Sequence, residues 1–290
     1  MNMTAKVNIG IVGFGRIGRN LLRLGYDDPR FNFVGISDLA EPEALFYLLG
    51  HDTVYGPTET ETVLEDNYIH FGHQKVRILP GTGPGSLAWD ALGADIIIDC
   101  TGRVWPRTDL EKYLETGAKR VIVTKPPEDP VDRIVVMGLN DNDISINDKI
   151  VSPSSSTTQV LALMLNILDN EFGLEKAMMT SVHAYTSDQP LADSVRSDLR
   201  RSRSAVGNII PNQTRSPQLV ETILPHLKGK IAGIAFNVPI PDGSCVDLTT
   251  QLQSTPSVEE VNAVMKDVSE NSLSAIIGYT DDPIVSSDVV

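Results

Sequence analysis

Short apolar runs alternate with helical-period stretches through the first half of the chain. Val7–Val12 is a β-branched run closed by Gly13, and Arg16–Leu24 places apolar residues at helical spacing. Asn32–Ser37 reads as a second strand, so the chain opens as strand, tight glycine turn, helix and strand, the start of a parallel sheet. Glu41–Leu49 reads as a helix. Thr60–Leu79 alternates, with Asp66-Asn67 and Gly72 as turn signals, and predicts a small antiparallel excursion. Ala94–Cys100 is almost continuously apolar and predicts a strand buried on both faces. Arg107–Thr116 reads as a helix, and Arg120–Val123 and Ile134–Met137 read as further strands.

Pro126-Pro127 and Pro130 interrupt this regularity, and after Val151 the pattern changes. Thr157–Phe172 predicts one long amphipathic helix carrying Leu161, Leu163, Met164, Leu165, Ile167 and Leu168. Longer strands follow at Ala177–Tyr185, Ile231–Val238 and Cys245–Leu252, with a polar, Arg- and Ser-rich stretch over Thr186–Asn208. The change in texture predicts two domains, 1–152 and 153–290, meeting near Val151–Pro153.

Composition narrows the picture. A chain of 290 residues with 41% apolar content can bury a substantial core and suits two domains. A net charge of −14 disfavours a nucleic-acid partner, which needs clustered Lys and Arg. Lys6 leads straight into the first strand, so no leader peptide is expected, and no apolar run reaches membrane-spanning length. Cys100 and Cys245 sit in strand-like apolar runs and read as buried small hydrophobes, a usage that fits a reducing cytoplasm.

The first glycine turn carries candidate chemistry. In Gly13-Phe14-Gly15-Arg16-Ile17-Gly18, the first glycine permits the turn, the second lets backbone approach a pyrophosphate and the third allows helix–strand packing. The following helix aims free N–H groups at the phosphates. The motif alone is weak. A strand before it, a helix after it and Asp38 at the end of the next strand make it a dinucleotide fingerprint. Asp38 would accept from a ribose 2′-OH and repel a 2′-phosphate, which selects NAD over NADP; taken singly it could be a solvated turn acid.

A second set of motifs lies beyond Val151. Val151-Ser-Pro-Ser-Ser-Ser-Thr-Thr-Gln159 and Ser181-Val-His-Ala-Tyr-Thr186 resemble the S-x-x-S-C-T-T-N and T-V-H-x-Y-T segments of the phosphorylating glyceraldehyde-3-phosphate dehydrogenases. Ser37-Asp-Leu39, Cys100-Thr-Gly-Arg103, Gly117–Ile122, Asp198-Leu-Arg-Arg201, Asn208-Ile-Ile-Pro211, Leu227–Ile231 and Val246-Asp-Leu248 extend the resemblance, in the family's order, over almost the whole chain. It implies an α/β chain: an N-terminal Rossmann-type parallel-sheet domain and an α+β catalytic domain with a mixed or antiparallel sheet. It further implies NAD as cofactor, with Arg16 and Ile17 along the pyrophosphate and Thr101 and Thr124 on the nicotinamide side. Lys125-Pro126 departs from the small residues usual there. No metal is implied. A phosphorylated aldehyde and inorganic phosphate are the implied partners, and a cytoplasmic homotetramer the implied assembly.

In that family a cysteine thiolate at a helix N-terminus adds to the aldehyde, hydride passes to NAD, and phosphate cleaves the thioester. Here the nucleophile position is Ser156 and the partner histidine is His183. A hydroxyl is far less acidic than a thiol, whose ordinary pKa is about 8.5, and it would form an ester. It also needs an oriented general base, and no acid partner for His183 is evident. Severe impairment is therefore expected. Apart from the resemblance, Ser156 reads as one more hydroxyl in a helix cap and His183 as a core histidine.

The resemblance also assigns phosphate contacts to Ser155, Thr157, Thr186, Arg201 and Thr214. Asn237 stands where the family has arginine, and Arg215 where it has glycine, so one cation is lost and one gained. Arg215 could compensate, or the aldehyde could differ. Gln159-Val160 likewise replaces Asn-Cys. Arg200, Arg201 and Arg203 could instead form a solvated or interface-facing loop. Family members continue past the equivalent of Val290 with further strands and a final helix; a chain ending at Val290 would leave the second sheet incomplete, and a longer one would not. Three readings compete. They are a phosphorylating aldehyde dehydrogenase weakened at Ser156, an NAD-binding relative with a regulatory or assembly role, and, last, an esterase built on Ser156 and His183.

Overall fold

The computed structural model describes residues 6–81, 83–187 and 189–289. The chain divides into two compact units, Met1–Val135 with Asn142–Ser154, and Val136–Asp141 with Ser155–Val290.

The first unit holds β1 (Val7–Val12), α1 (Arg16–Gly25), β2 (Phe31–Asp38), α2 (Pro42–Gly50), a small two-stranded pair β3 (His51–Asp52) and β4 (Gly56–Pro57), then β5 (Thr62–Glu65), β6 (Tyr68–Phe71) and β7 (Gln74–Pro80). It continues through β8 (Ile96–Asp99), α3 (Arg107–Glu115), β9 (Arg120–Val123), β10 (Arg133–Ile134) and β11 (Ile150–Ser152). One sheet runs in the order β10-β11-β9-β8-β1-β2-β7-β6-β5. The strands from β10 to β7 pair parallel, and β5, β6 and β7 form the expected antiparallel excursion.

Alternation along β1 explains the two layers of core. Ile9 and Ile11 join Leu22, Phe33, Ile36 and Leu49 on one side, while Val12 joins Trp89, Ile97, Leu110 and Val121 on the other. The sheet is thus covered on both faces, as a parallel sheet must be. Two expectations need correction. Ile96 and Ile98 in β8 are half-buried, so that strand alternates in burial. The strand expected over Ile134–Met137 stops at Ile134, because Val136 N–H donates to Asn140 Oδ1 at 2.7 Å and the chain turns there.

The second unit contains α4 (Ser156–Phe172), β12 (Leu174–Ala184), β13 (Ile210–Asn212), α5 (Ser216–Ile223), β14 (Ile231–Val238), β15 (Cys245–Leu252) and α6 (Val258–Glu270). Its sheet runs β13-β14-β12-β15, with β12 and β14 parallel and the outer two antiparallel to their neighbours. Leu161, Ala162 and Leu165 of α4 and Val220 of α5 pack on Ala177, Met179 and Ile231. From Ala177 onward the odd-numbered residues of β12 therefore face the helices. The helix α6, absent from the elements predicted above, is marked by a capping box between Ser257 and Glu260. Cys245 corrects another expectation: it opens β15 on the alternating, exposed side of the strand, while Cys100 is buried. Among the described residues no helix is long and apolar enough to cross a membrane.

Candidate active site

The first unit builds its cradle from the glycine turn between β1 and α1. Gly13 has φ +83°, and a Cβ there would lie 2.7 Å from the Thr101 backbone. A Cβ on Gly18 would meet the Gly13 carbonyl oxygen at 2.4 Å. Gly15 differs, since nothing lies within 4 Å of its Cβ position. Gly13 and Gly18 shape the turn, and Gly15, at the N-terminus of α1, leaves open backbone against which a diphosphate can lie. The residues present therefore fit a dinucleotide.

Asp38 closes the cradle. Its Oδ2 accepts from Phe14 N–H at 2.7 Å, and its Oδ1 accepts from Leu39 and Ala40 N–H at 2.7 and 3.0 Å. Arg16 and Ile17 form the first residues of α1, and Ile17 is exposed. Thr101 and Thr124 are brought together by Asp99, a buried carboxylate the motifs did not single out. Thr101 donates to Asp99 Oδ1 through its N–H (3.0 Å) and Oγ1 (2.7 Å), and Thr124 Oγ1 donates to the Asp99 carbonyl at 2.8 Å. Tyr113 OH, at 2.9 Å, takes the other carboxylate oxygen. Burial and the neighbouring Asp99 charge push the Cys100 thiol up to about 12 and the Tyr113 phenol up as well. The available signal for Asp99 was an acid ending an otherwise apolar strand.

In the second unit α4 and β12 are joined at Gly173 and run in opposite directions. The 17 residues of α4 span roughly 25 Å, and the strand from Leu174 to His183 spans roughly 30 Å, so both Ser156 and His183 stand at the same end. Ser156 opens the helix and is exposed; His183 is half-buried on the helix-covered face. Among the described residues no hydrogen bond joins the two. His183 Nδ1 instead donates to the Ala184 carbonyl at 2.7 Å, which leaves Nε2 of the neutral ring as an acceptor.

The helix N-termini of α4 and α5 meet through hydroxyls. Ser155 caps α4 by accepting from Thr158 N–H at 3.1 Å, and its Oγ lies 2.8 Å from Thr158 Oγ1. Ser216, the first residue of α5, receives Thr158 Oγ1 at 3.1 Å and lies 3.4 Å from Ser155 Oγ. Thr214 Oγ1 accepts from Ser216 N–H at 3.2 Å, and exposed Arg215 stands between them. Thr157 is buried just inside α4. Thr186 and Arg201 belong to the loop after β12, where Thr186 N–H donates to Gln189 Oε1 (3.1 Å) and Arg201 N–H to Asp198 Oδ1 (3.3 Å).

Asn237 is buried, and both ends of its amide are engaged. Its Oδ1 accepts from Asn212 Nδ2 at 3.0 Å, and its Nδ2 points to the Ala184 carbonyl at 3.4 Å. The motifs marked Asn237 as a lost cation and overlooked Asn212, whose only sequence signal is a polar residue entering the α5 turn.

A glycine-turn cradle closed by an acid suits a dinucleotide-dependent enzyme of the oxidoreductase class. Residues 7–107 match the family described as "Glyceraldehyde 3-phosphate dehydrogenase, NAD binding domain", and residues 155–290 match "Glyceraldehyde 3-phosphate dehydrogenase, C-terminal domain". Glyceraldehyde-3-phosphate dehydrogenase 1 of Bacillus subtilis (strain 168) is 38% identical over 283 residues, 97% of this chain and 84% of the relative. Glyceraldehyde-3-phosphate dehydrogenase 1 of Trichormus variabilis is 42% identical over 288 residues, covering 98% and 84%. Glyceraldehyde-3-phosphate dehydrogenase of Mycobacterium leprae is 42% identical over 293 residues, covering 98% and 86%. The chain belongs to the glyceraldehyde-3-phosphate dehydrogenase family, and its cofactor is NAD.

Proposed function

We propose that this chain oxidises glyceraldehyde 3-phosphate, or a closely related phosphorylated aldehyde, to an acyl phosphate, and does so slowly because Ser156 replaces the family's cysteine. The observation that carries the reading is the position of Ser156 in the first turn of α4, at the same end of the unit as His183, whose Nε2 is left as an acceptor. His183 Nε2 takes the proton of Ser156 Oγ as that oxygen bonds to the aldehyde carbon. N–H groups in the first turn of α4 favour the negative charge that develops on the carbonyl oxygen. Gly13–Gly18 and Asp38 would hold NAD, which would supply the hydride acceptor that oxidation of the aldehyde carbon requires. Phosphate oxygen then attacks the ester carbon, the acyl phosphate leaves, and Ser156 Oγ recovers its proton from His183.

Each step after binding is harder for oxygen than for sulfur. A serine hydroxyl is scarcely ionised near neutral pH, and an ester resists phosphate more than a thioester does. Ser155, Thr157, Thr186, Arg201, Thr214 and Arg215 are assigned to the two phosphate groups. The convergence of two helix N-termini at Ser155 and Ser216 supports an anion there. A cytoplasmic homotetramer belongs to the same proposal. The 40% and 42% exposure of Met178 and Ile234, on the sheet face opposite α4, suits contact with a second copy. Aldehyde-dependent NADH formation by the chain and by Ser156→Cys tests the reading. A gain with cysteine is expected, and equal rates in the two would overturn it.

A further inference from the structure

A directional chain of amide hydrogen bonds ends on the backbone carbonyl that also receives the histidine. Gln213 N–H donates to Asn212 Oδ1 at 2.9 Å, which leaves Asn212 Nδ2 to donate to Asn237 Oδ1 at 3.0 Å. With its oxygen so occupied, Asn237 turns Nδ2 toward the Ala184 carbonyl at 3.4 Å, the same oxygen that receives His183 Nδ1 at 2.7 Å. Neither amide can flip without setting two acceptors or two donors against each other. The backbone explains why these residues meet: His183 and Asn237 are register partners on the parallel strands β12 and β14, on one face, and Asn212 lies on β13 beside β14.

We infer that Asn237, oriented by Asn212, is a positioning residue that sets the tautomer of His183. It holds the Ala184 carbonyl as the acceptor for Nδ1–H, so that Nε2 faces the site without a proton. The inference rests on the reading of His183 as the proton acceptor. An arginine at 237 could also donate to the Ala184 carbonyl, but Asn212 could not orient it in this way. A guanidinium has no acceptor for Asn212 Nδ2, so the asparagine pair forms a unit. Its amide is also already engaged at both ends, so Asn237 is not a phosphate ligand in waiting.

The test is long-range proton–nitrogen NMR of the histidine rings in 15N-labelled protein, with the His183 signals identified by their loss in His183→Gln. The expected spectrum of the unsubstituted chain has neutral His183 protonated at Nδ1. Asn237→Ala and Asn212→Ala should each lower the ratio of the Nδ1–H to the Nε2–H form, by at most roughly fivefold, the size of one neutral hydrogen bond. The double substitution should do no more than Asn237→Ala alone, because the two act in series. Asn212→Ala is half-exposed and supplies the answer if the buried change prevents folding. A His183 protonated at Nε2 in the unsubstituted chain, or a ratio unmoved in the variants that fold, overturns the inference. Turnover of the same substitutions in the Ser156→Cys background separates the two claims. If the tautomer shifts and kcat does not, the positioning stands and the role of His183 as proton acceptor falls.

Discussion

His183 and Asn237 stand side by side on adjacent parallel strands, and their side chains share one acceptor, the carbonyl oxygen of Ala184, at 2.7 and 3.4 Å. A backbone carbonyl thus takes the place that a carboxylate fills in a Ser–His–Asp arrangement. It fixes the ring without adding a negative charge, which suits a histidine paired with a thiol better than one that must activate a hydroxyl. On the proposed reading, such surroundings would do little to activate a serine at 156.

The three glycines of the cradle should respond differently to alanine. Gly13→Ala and Gly18→Ala force Cβ atoms to 2.7 and 2.4 Å from backbone, so a stability loss of about 1–3 kcal/mol or more is expected. Gly15→Ala meets open space and should keep its Tm while losing NAD affinity. Thermal melts and calorimetric NAD titrations of the three proteins check this. Normal NAD binding by Gly15→Ala would remove that backbone from the cofactor site.

Asp38 secures the turn through Phe14 N–H, and the proposed site gives it the ribose hydroxyl as a second donor. Asp38→Ala should weaken NAD binding by about 1–3 kcal/mol, the cost of losing a charged hydrogen-bond acceptor. Calorimetry with NAD and NADP on the unsubstituted chain supplies the complementary result, a clear preference for NAD. Equal affinities would contradict the role given to this carboxylate.

The two cysteines should separate cleanly in thiol titration. Cys245 is exposed and should react with a disulfide reagent in the native protein. Cys100 is buried with its thiol pushed up to about 12, and should react only after unfolding. One equivalent in buffer and two in denaturant is the expected count. Two in buffer would mean that the first unit opens readily.

Acid should destabilise the first unit in a definite window. The Lys119 side chain, followed by Asn8 N–H, holds Asp95 below the usual carboxylate range, and Ser145 N–H with Arg133 does the same for Asp148. A carboxylate depressed in the folded state adds stability above its unfolded pKa of about 3.9 and loses it as pH falls through the folded value. Tm should therefore decline below about pH 4, and Asp95→Asn should flatten that decline. An acid limb unchanged by the substitution would assign the loss to other groups.

Much of the fold was legible because apolar periodicity reports the element directly. Ile231–Val238 and Cys245–Leu252 match the observed strands residue for residue. The periodicity reports type better than exposure, so Cys245 was placed inside when it opens the exposed side of β15. The strand at Arg133–Ile134 ended early because a side chain, Asn140, took the next N–H, an event no local pattern announces. The glycine fingerprint and Asp38 were readable since each glycine answers a local steric demand. Asn212, Ser216 and Asp99 were not. Their partners lie 25, 58 and 14 residues away, and only the folded chain brings them together.

The most direct test is NADH formation from glyceraldehyde 3-phosphate, phosphate and NAD by the chain and by Ser156→Cys, with alkylation of the new thiol followed in parallel. Restoring the thiol at the head of α4 beside His183 should raise the rate by at least ~10³-fold and create one fast-alkylating cysteine, distinct from Cys100 and Cys245. A cysteine at 156 that alkylates no faster than a free thiol, with no gain in NADH, would contradict the claim that the nucleophile alone limits this site.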